Sequence, residues 1–397
     1  MRMRLSALFL EFFNDERISG VILILNAITA LLVANSPFGK NFLDFWHIKV
    51  GFNLGFIHLK QDLLHWINDG LMAVFFLLIG LEIEREIYCG ELSDLKNASL
   101  PIFAALGGML TPALIYLALN HGTATQNGFG IPMATDIAFA LGALALLGNR
   151  VPASIKIFLA AFAIIDDLGA MLVIALFYAE GFSLAYLLSA LAVFAFLLVL
   201  NRLRVNSLPV YLLLGVLMWY LMLQSGVHAA ITGVLLAFAI PFRGGSPFAP
   251  SARLEHYLNM PVALGIMPIF ALANTGIVIS ENLLRNLVTF NTTGIFAGLV
   301  IGKPLGIVLF SLLAIKFKFA KFPDKLSFRY LLGTGFLGGI GFTMSIFITI
   351  LAFGETEIAQ GSKITIMLAS VFSGVIGLLL LSRRSSSVLS NTRKESR

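Results

Sequence analysis

Only one cysteine, Cys89, occurs in 397 residues, so an intrachain disulfide is excluded and dithiol redox chemistry has no reagents. Charge is also scarce. Asp, Glu, Lys and Arg make up 12% of the chain, against about 25% in soluble domains. With 58% hydrophobic residues and a mean hydropathy of +0.92, the composition is that of a polytopic membrane protein. The net charge of +6 therefore reports which side the basic residues occupy, and no nucleic-acid partner is expected. No small-residue cleavage site follows Leu31, Leu32, Val33 and Ala34, so the first apolar run reads as a retained helix rather than a leader.

Apolar windows of the length that crosses a hydrocarbon core predict twelve spans: 18–34, 63–83, 98–118, 127–147, 153–177, 183–200, 207–223, 225–241, 257–280, 292–315, 327–352 and 360–382. With the N-terminus inside, the outer segments hold only Lys40, Lys49, Lys60, Arg285 and Lys363. Lys303 falls within a span, and the rest of the 27 basic residues lie inside. That bias predicts two cytoplasmic termini. Trp46, Trp66 and Trp219 then fall on or near the outer face. Alternating apolar residues at 45–59, with a parity change around Asn53, Leu54 and Gly55, predict a small external β-hairpin or an ordered loop. An isolated hairpin is barely stable in water, so its edge would pair with a second subunit. Leu5–Phe13 is too short to span and is expected at the inner surface, and 383–397 reads as a basic cytoplasmic tail.

Against this apolar background, four ionisable residues sit near the middle of spans: Asp136, Asp166, Asp167 and Lys303. Each costs about 2.5–3.5 kcal/mol on the lenient insertion scale, which points to an ion or proton pathway. The same depth carries broken helices. GFGIPMATDIAFALG surrounds Asp136, and GTGFLGGIGFTMSIF places Gly338, Gly339 and Gly341 at mid-membrane. Unwound backbone there is tolerated only inside protein or beside a cavity. Matching breaks in two halves point to a transport site between repeats.

Where half-helices meet end to end, Asp136 can neutralise their positive N-terminal ends and Lys303 their negative C-terminal ends. Asp166 and Asp167 point about 100° apart on a helix, so one can face an ion while the other faces a partner such as Lys303. Thr135 offers a neutral oxygen to a hard cation.

Other features carry less. Gly333–Gly338 matches GxGxxG and Gly298–Lys303 resembles a P-loop, yet neither has the strand and loop context that phosphate binding needs. His228 reads by default as a packing residue and Asp69 as a solvated one. Glu82, Arg85, Glu86, Glu255 and His256 read as snorkelling end charges.

The motifs ATDIAFALG at 134–142, AIIDDLGA at 163–170, GKPLGI at 302–307 and GIGFTMSIF at 339–347 closely resemble those of the NhaA-type sodium/proton antiporters. So do INDGLMAVFF at 67–76, SGVHA at 225–229 and RLEH at 253–256, and the similarity runs from about residue 11 to 380. That family is itself among the cases behind the repeat-interface rule.

The resemblance implies an all-α polytopic membrane protein of twelve transmembrane helices, forming a single transporter unit over 1–382. It implies inverted repeats at about 98–177 and 292–382, with spans four and eleven discontinuous and crossed. It further implies a homodimer in the bacterial inner membrane. Asp166 and Asp167 become the Na+ or Li+ and H+ site. Thr135 and Asp136 belong to the helix crossing, with Lys303 as its basic partner. Glu82, Arg85, Glu86, His228, Glu255 and His256 become pH-control positions. Glu84 stands where a basic residue often lies and Asn259 where some members carry a second histidine, so a shifted pH profile is implied.

The expected activity is secondary active exchange, with no cofactor and no enzymatic chemistry. Protons move inward while Na+ or Li+ moves outward, because burial disfavours charged carboxylates and lets protons compete with the cation. Two rivals remain. An intramembrane aspartyl protease needs two carboxylates facing across one water, which adjacent Asp166 and Asp167 do not supply, although Asp136 with Asp167 would. A passive channel would conduct without accumulating Na+.

Overall fold

The computed structural model describes residues 2–51, 53–54, 57–179, 181–281, 283, 287–320 and 327–382; the side chains of 2–17, 53, 54, 57, 58, 95 and 149 are not described. The expected tail at 383–397 and Arg285 lie outside the described residues. Helix α1 (Arg2–Ala34) runs unbroken, so the segment expected at the inner surface and the first span form one helix. Then comes α2 (Gly39–Trp46), its axis 117° from that of Ile18–Ala34.

The next helices are α3 (Leu63–Cys89), α4 (Leu95–Asn120), α5 (Ile137–Leu146), α6 (Ala153–Phe177), α7 (Leu184–Arg202) and α8 (Leu208–Ser225). They are followed by α9 (Ile231–Ala239), α10 (Pro250–Asn274), α11 (Phe290–Lys316), α12 (Phe328–Gly338), α13 (Phe342–Phe353) and α14 (Glu357–Ser382).

Among the described residues, nine helices are long and apolar enough to cross a membrane, or up to eleven when each bent pair counts as one span. The expected span at 225–241 falls short. Gly226 takes a left-handed conformation (φ 80°) that ends α8, and only nine residues of α9 follow.

Between α2 and α3 lie two antiparallel ladders. Strand β1 (Lys49–Val50) pairs with β4 (Gln61–Asp62), and β2 (Asn53–Leu54) pairs with β3 (Ile57–His58). The pairing starts and ends later than the window 45–59, because Phe45 and Trp46 close α2 while Gln61 and Asp62 complete the outer ladder. Asp62 then caps α3 by accepting the His65 N–H at 2.8 Å.

One core cluster joins α3–α6 with α10–α14, and a second lies between α7, α8 and α9. On α7, Leu188, Leu191, Phe196, Leu198 and Val199 are exposed. In water such a face would be a large apolar patch; in a bilayer it is the surface lipid requires. Helices α4 and α11 approach each other closely. A Cβ built on Gly107 would lie 2.2 Å from the Gly306 carbonyl oxygen, and one on Gly306 would lie 2.0 Å from that of Gly107. Small residues let these two backbones touch.

Two interruptions sit in the middle of the bundle. A 3-10 stretch, Gln126–Met133, gives way to extended Ala134 and Asp136 before α5 begins. The second falls at 339–341, where α12 and α13 meet at 44°. A third irregularity is a π-helical stretch at Gly298–Gly302, immediately before Lys303 in α11. Such bulges are frequent at functional sites.

Candidate ion site

The two interruptions cross, and hydrogen bonds fasten them. The Asp136 N–H donates to the Ile340 carbonyl at 2.7 Å, and Thr135 Oγ1 donates to the Gly338 carbonyl at 2.8 Å. Ser345 Oγ donates to Ile131 O at 2.7 Å. A Cβ on Gly339 would stand 2.4 Å from Leu299 O, so glycine is what lets α11 approach the crossing. Backbone groups left open by the breaks are thereby satisfied inside protein, as membrane depth demands.

Asp136 serves both half-helices. Its Oδ1 accepts the Phe139 N–H at 2.9 Å as the N-cap of α5, while Oδ2 accepts the Thr343 N–H at 3.0 Å in the first turn of α13. Thr343 Oγ1 adds the carboxylate's third bond, the second to Oδ2, at 2.5 Å. One carboxylate thus meets two positive helix ends. Thr343 was not singled out from sequence; its place two residues after Gly341, at the start of an apolar run, was the available N-terminal signal.

Lys303 and Asp166 form a pair. The ammonium lies 2.7 Å from Asp166 Oδ2, both side chains have no solvent exposure, and Nζ also donates to the Met133 carbonyl at the end of the 3-10 stretch. Lys303 therefore touches one of the two C-terminal ends at the crossing. Thr135 lies beside Asp166 as well.

Asp167 differs from both. It is 1% exposed, and neither carboxylate oxygen has a hydrogen-bond partner among the described residues. Asp166, Asp136, Lys303 and Glu82 lie within its electrostatic reach. A buried carboxylate without a hydrogen bond needs a counter-charge, and a proton or a small cation supplies one.

Glu82 and Glu84 at the end of α3 and Glu255 of α10 are buried rather than snorkelling, and Arg85 pairs with Glu255 and more loosely with Glu86 at 3.5 Å. The Glu86 carboxylate also accepts the Glu91 N–H at 3.1 Å. His256 is exposed beside Tyr257. Burial follows from packing of α10 against α3, which no local window reveals.

Asp69 corrects the expectation of a solvated residue: it is 8% exposed, in a π-helical stretch of α3, Trp66–Leu71. His65 Nε2 lies 2.7 Å from its Oδ2 and His228 Nε2 lies 3.0 Å from its Oδ1. The Trp219 indole donates to its carbonyl at 3.1 Å and stacks on Trp66. The signal for His65 was its spacing of four residues from Asp69, one helical turn.

A helical bundle whose interrupted helices cross beside fully buried charges defines a polytopic membrane protein of the broken-helix class. The profile of the family Na+/H+ antiporter 1 matches residues 10–381, and the chain belongs to that family. Among its relatives, the Na(+)/H(+) antiporter NhaA of Dechloromonas aromatica is 58% identical over 383 residues, covering 96% of each chain. That of Flavobacterium psychrophilum is 54% identical over 96% of this chain and 97% of its own. The Escherichia coli protein of the same name is 48% identical over 92% and 96%. Among solved structures, the sodium proton antiporter MjNhaP1 from Methanocaldococcus jannaschii shares the fold, with a TM-score of 0.51 at 16% identity, over 91% of this chain and 98% of that one.

Proposed function

We propose that this chain is a secondary active antiporter that exports Na+, or Li+, in exchange for protons moving inward. The observation that carries this reading is Asp167, a buried carboxylate with no hydrogen bond, beside a Lys303–Asp166 pair and a helix crossing neutralised by Asp136. Naked, that carboxylate is costly in a low-dielectric bundle; carrying H+ or Na+ it is not. The two cations therefore compete for Asp167 and Asp166, with Thr135 as a neutral oxygen nearby. Alternating access follows when the neutralised bundle rocks between faces and the empty, charged one does not.

Asp136 and Lys303 hold the crossed half-helices together electrostatically, which separates their task from ion binding. Glu82, Arg85, Glu86, Glu255 and His256 act as an inner cluster that sets the pH response. Where more proton charge than sodium charge moves per cycle, each net charge gains about 2.3 kcal/mol per 100 mV.

The architecture proposed around this site is a twelve-helix unit over 1–382 with inverted repeats at about 98–177 and 292–382, the short α9 completing the count. It lies in the bacterial inner membrane with both termini cytoplasmic. The paired strands between α2 and α3 form an outer hairpin, with Lys49 and Val50 exposed for pairing with a second subunit. A protease reading has no support in geometry, because Asp136 is consumed by three hydrogen bonds.

The test is reconstitution in proteoliposomes with an internal pH dye. Addition of Na+ or Li+ relieves the quench, K+ and Ca2+ do not, and Asp167→Asn removes the response. Equal responses to K+, or full Na+-driven flux in Asp167→Asn, overturns the assignment.

A further inference from the structure

Asp69 is a buried carboxylate of α3 that meets a histidine distant in sequence, and the exchange at Asp167 leaves it without a task. His65, one turn earlier, and His228, from the segment joining α8 to α9, flank its two oxygens at 2.7 and 3.0 Å.

The two imidazoles are not equivalent. The Ala230 N–H donates to His228 Nδ1 at 3.3 Å. That nitrogen is therefore an acceptor, and the ring's proton resides on Nε2, facing Asp69 Oδ1. Ala230 is buried, so a second proton on His228 would orphan a buried N–H as well as place two hydrogens against each other. His228 is further fixed edge-on against Phe347 of α13, at 5.1 Å between ring centres. Both ring nitrogens and one edge of His228 are thus engaged, by Ala230, Asp69 and Phe347. His65 is less enclosed: its Nε2 is buried against Asp69, but its side chain is 39% exposed, so a proton from water reaches the ring on its other side and makes the Asp69 contact charge-assisted.

We infer that His65 is the proton-exchanging member of a station at the outer end of α3, in which Asp69 is gripped between His65 and His228, whose other ring nitrogen is already engaged by the Ala230 N–H. The inference rests on the exchange reading and its orientation, and it names the group through which the outer proton concentration acts. The route onward is physical. His228 bears on Phe347, and Phe347 lies one turn from Thr343, which bonds Asp136 at the crossing.

The titratable and charged neighbours are few. Asp62 caps α3 beside His65 and has His47 at 3.5 Å, with Lys49 opposite it in the β1–β4 register. On the other elements the facing groups are Trp219 of α8, Phe347 of α13, and Asn274 of α10, which bonds Asn68 next to Asp69.

The experiment has two arms on the full-length protein. In the first, 15N-histidine NMR, assigned with His65→Gln and His228→Gln, follows both rings over about pH 5 to 8, the range in which histidine changes charge. His65 is expected to gain and lose a proton, while His228 keeps its Nε2–H tautomer throughout. A His228 ring that titrates, with His65 silent, overturns the proposal. In the second, Na+ export from proteoliposomes at fixed internal pH is recorded against external pH. His65→Gln is expected to lose the external-pH dependence over that range, with the KM for internal Na+ unchanged. A curve superimposable on the wild type overturns the proposal. Wild-type protein that moves no protons on Na+ addition overturns the exchange reading alone, since the NMR arm still decides which ring exchanges.

Discussion

Lys303 and Asp166 meet at 2.7 Å with neither side chain reaching solvent, while Asp167, the next residue along α6, has no hydrogen-bond partner among the described residues. Neighbouring carboxylates are thus given opposite tasks. One is satisfied by a fixed cation; the other has none, and in the proposed exchange it is the one that takes the mobile ion. The ~100° between successive helical residues makes this division possible.

Asp167→Asn should abolish Na+-driven proton flux without lowering thermal stability. It removes a buried charge and breaks no hydrogen bond, so its melting temperature in detergent should equal or exceed that of the wild type. A lower melting temperature would mean that Asp167 has a structural partner.

Lys303→Ala should behave in the opposite way. Breaking a buried pair leaves an uncompensated charge, at a cost of about 3–5 kcal/mol. The loss of the contact to Met133 O adds to it, because a carbonyl at the crossing loses its donor. Thermal unfolding should show a marked drop, and the pH profile of exchange should move. An unchanged melting curve would count against the pair.

The charges that matter were legible because an apolar run makes any charge conspicuous, and Asp136, Asp166, Asp167 and Lys303 all end fully buried. The breaks at 134–136 and 339–341 were legible from Pro132 and the glycines. What was hidden depends on distant partners. Asp69 looked solvated because the groups that enclose it, Trp219 and His228, arrive about 150 residues later. Glu82 and Glu255 looked like helix-end charges because each helix alone cannot show that α3 and α10 bury them together. The shortness of α9 was masked by continuous hydropathy across 225–241, within which Gly226 and a turn consume the first residues.

The inner cluster yields a directional expectation. Glu255→Gln removes one negative charge from a group that includes Glu82 and Glu84 and frees Arg85 from its pair. Less mutual repulsion lets the remaining carboxylates release protons at lower pH, so the activation curve of exchange should move to the acid side with its maximal rate retained. Dye-dequenching against pH measures this directly; a shift to the alkaline side would contradict it.

Thr343→Val tests the crossing itself. Valine keeps the backbone N–H that reaches Asp136 Oδ2 at 3.0 Å and deletes only the hydroxyl bond to the same oxygen. Hydrogen bonds to charged groups contribute about 1.5–3 kcal/mol, so a loss in that range is expected in thermal unfolding. Thr343→Ser, which retains the hydroxyl, should recover most of it. Recovery by serine but not valine separates the bond from the shape of the site, because valine matches threonine in size. Were the serine variant destabilised and the valine variant not, packing of the threonine methyl against the crossing, rather than its bond to Asp136, would be what holds α13 in place.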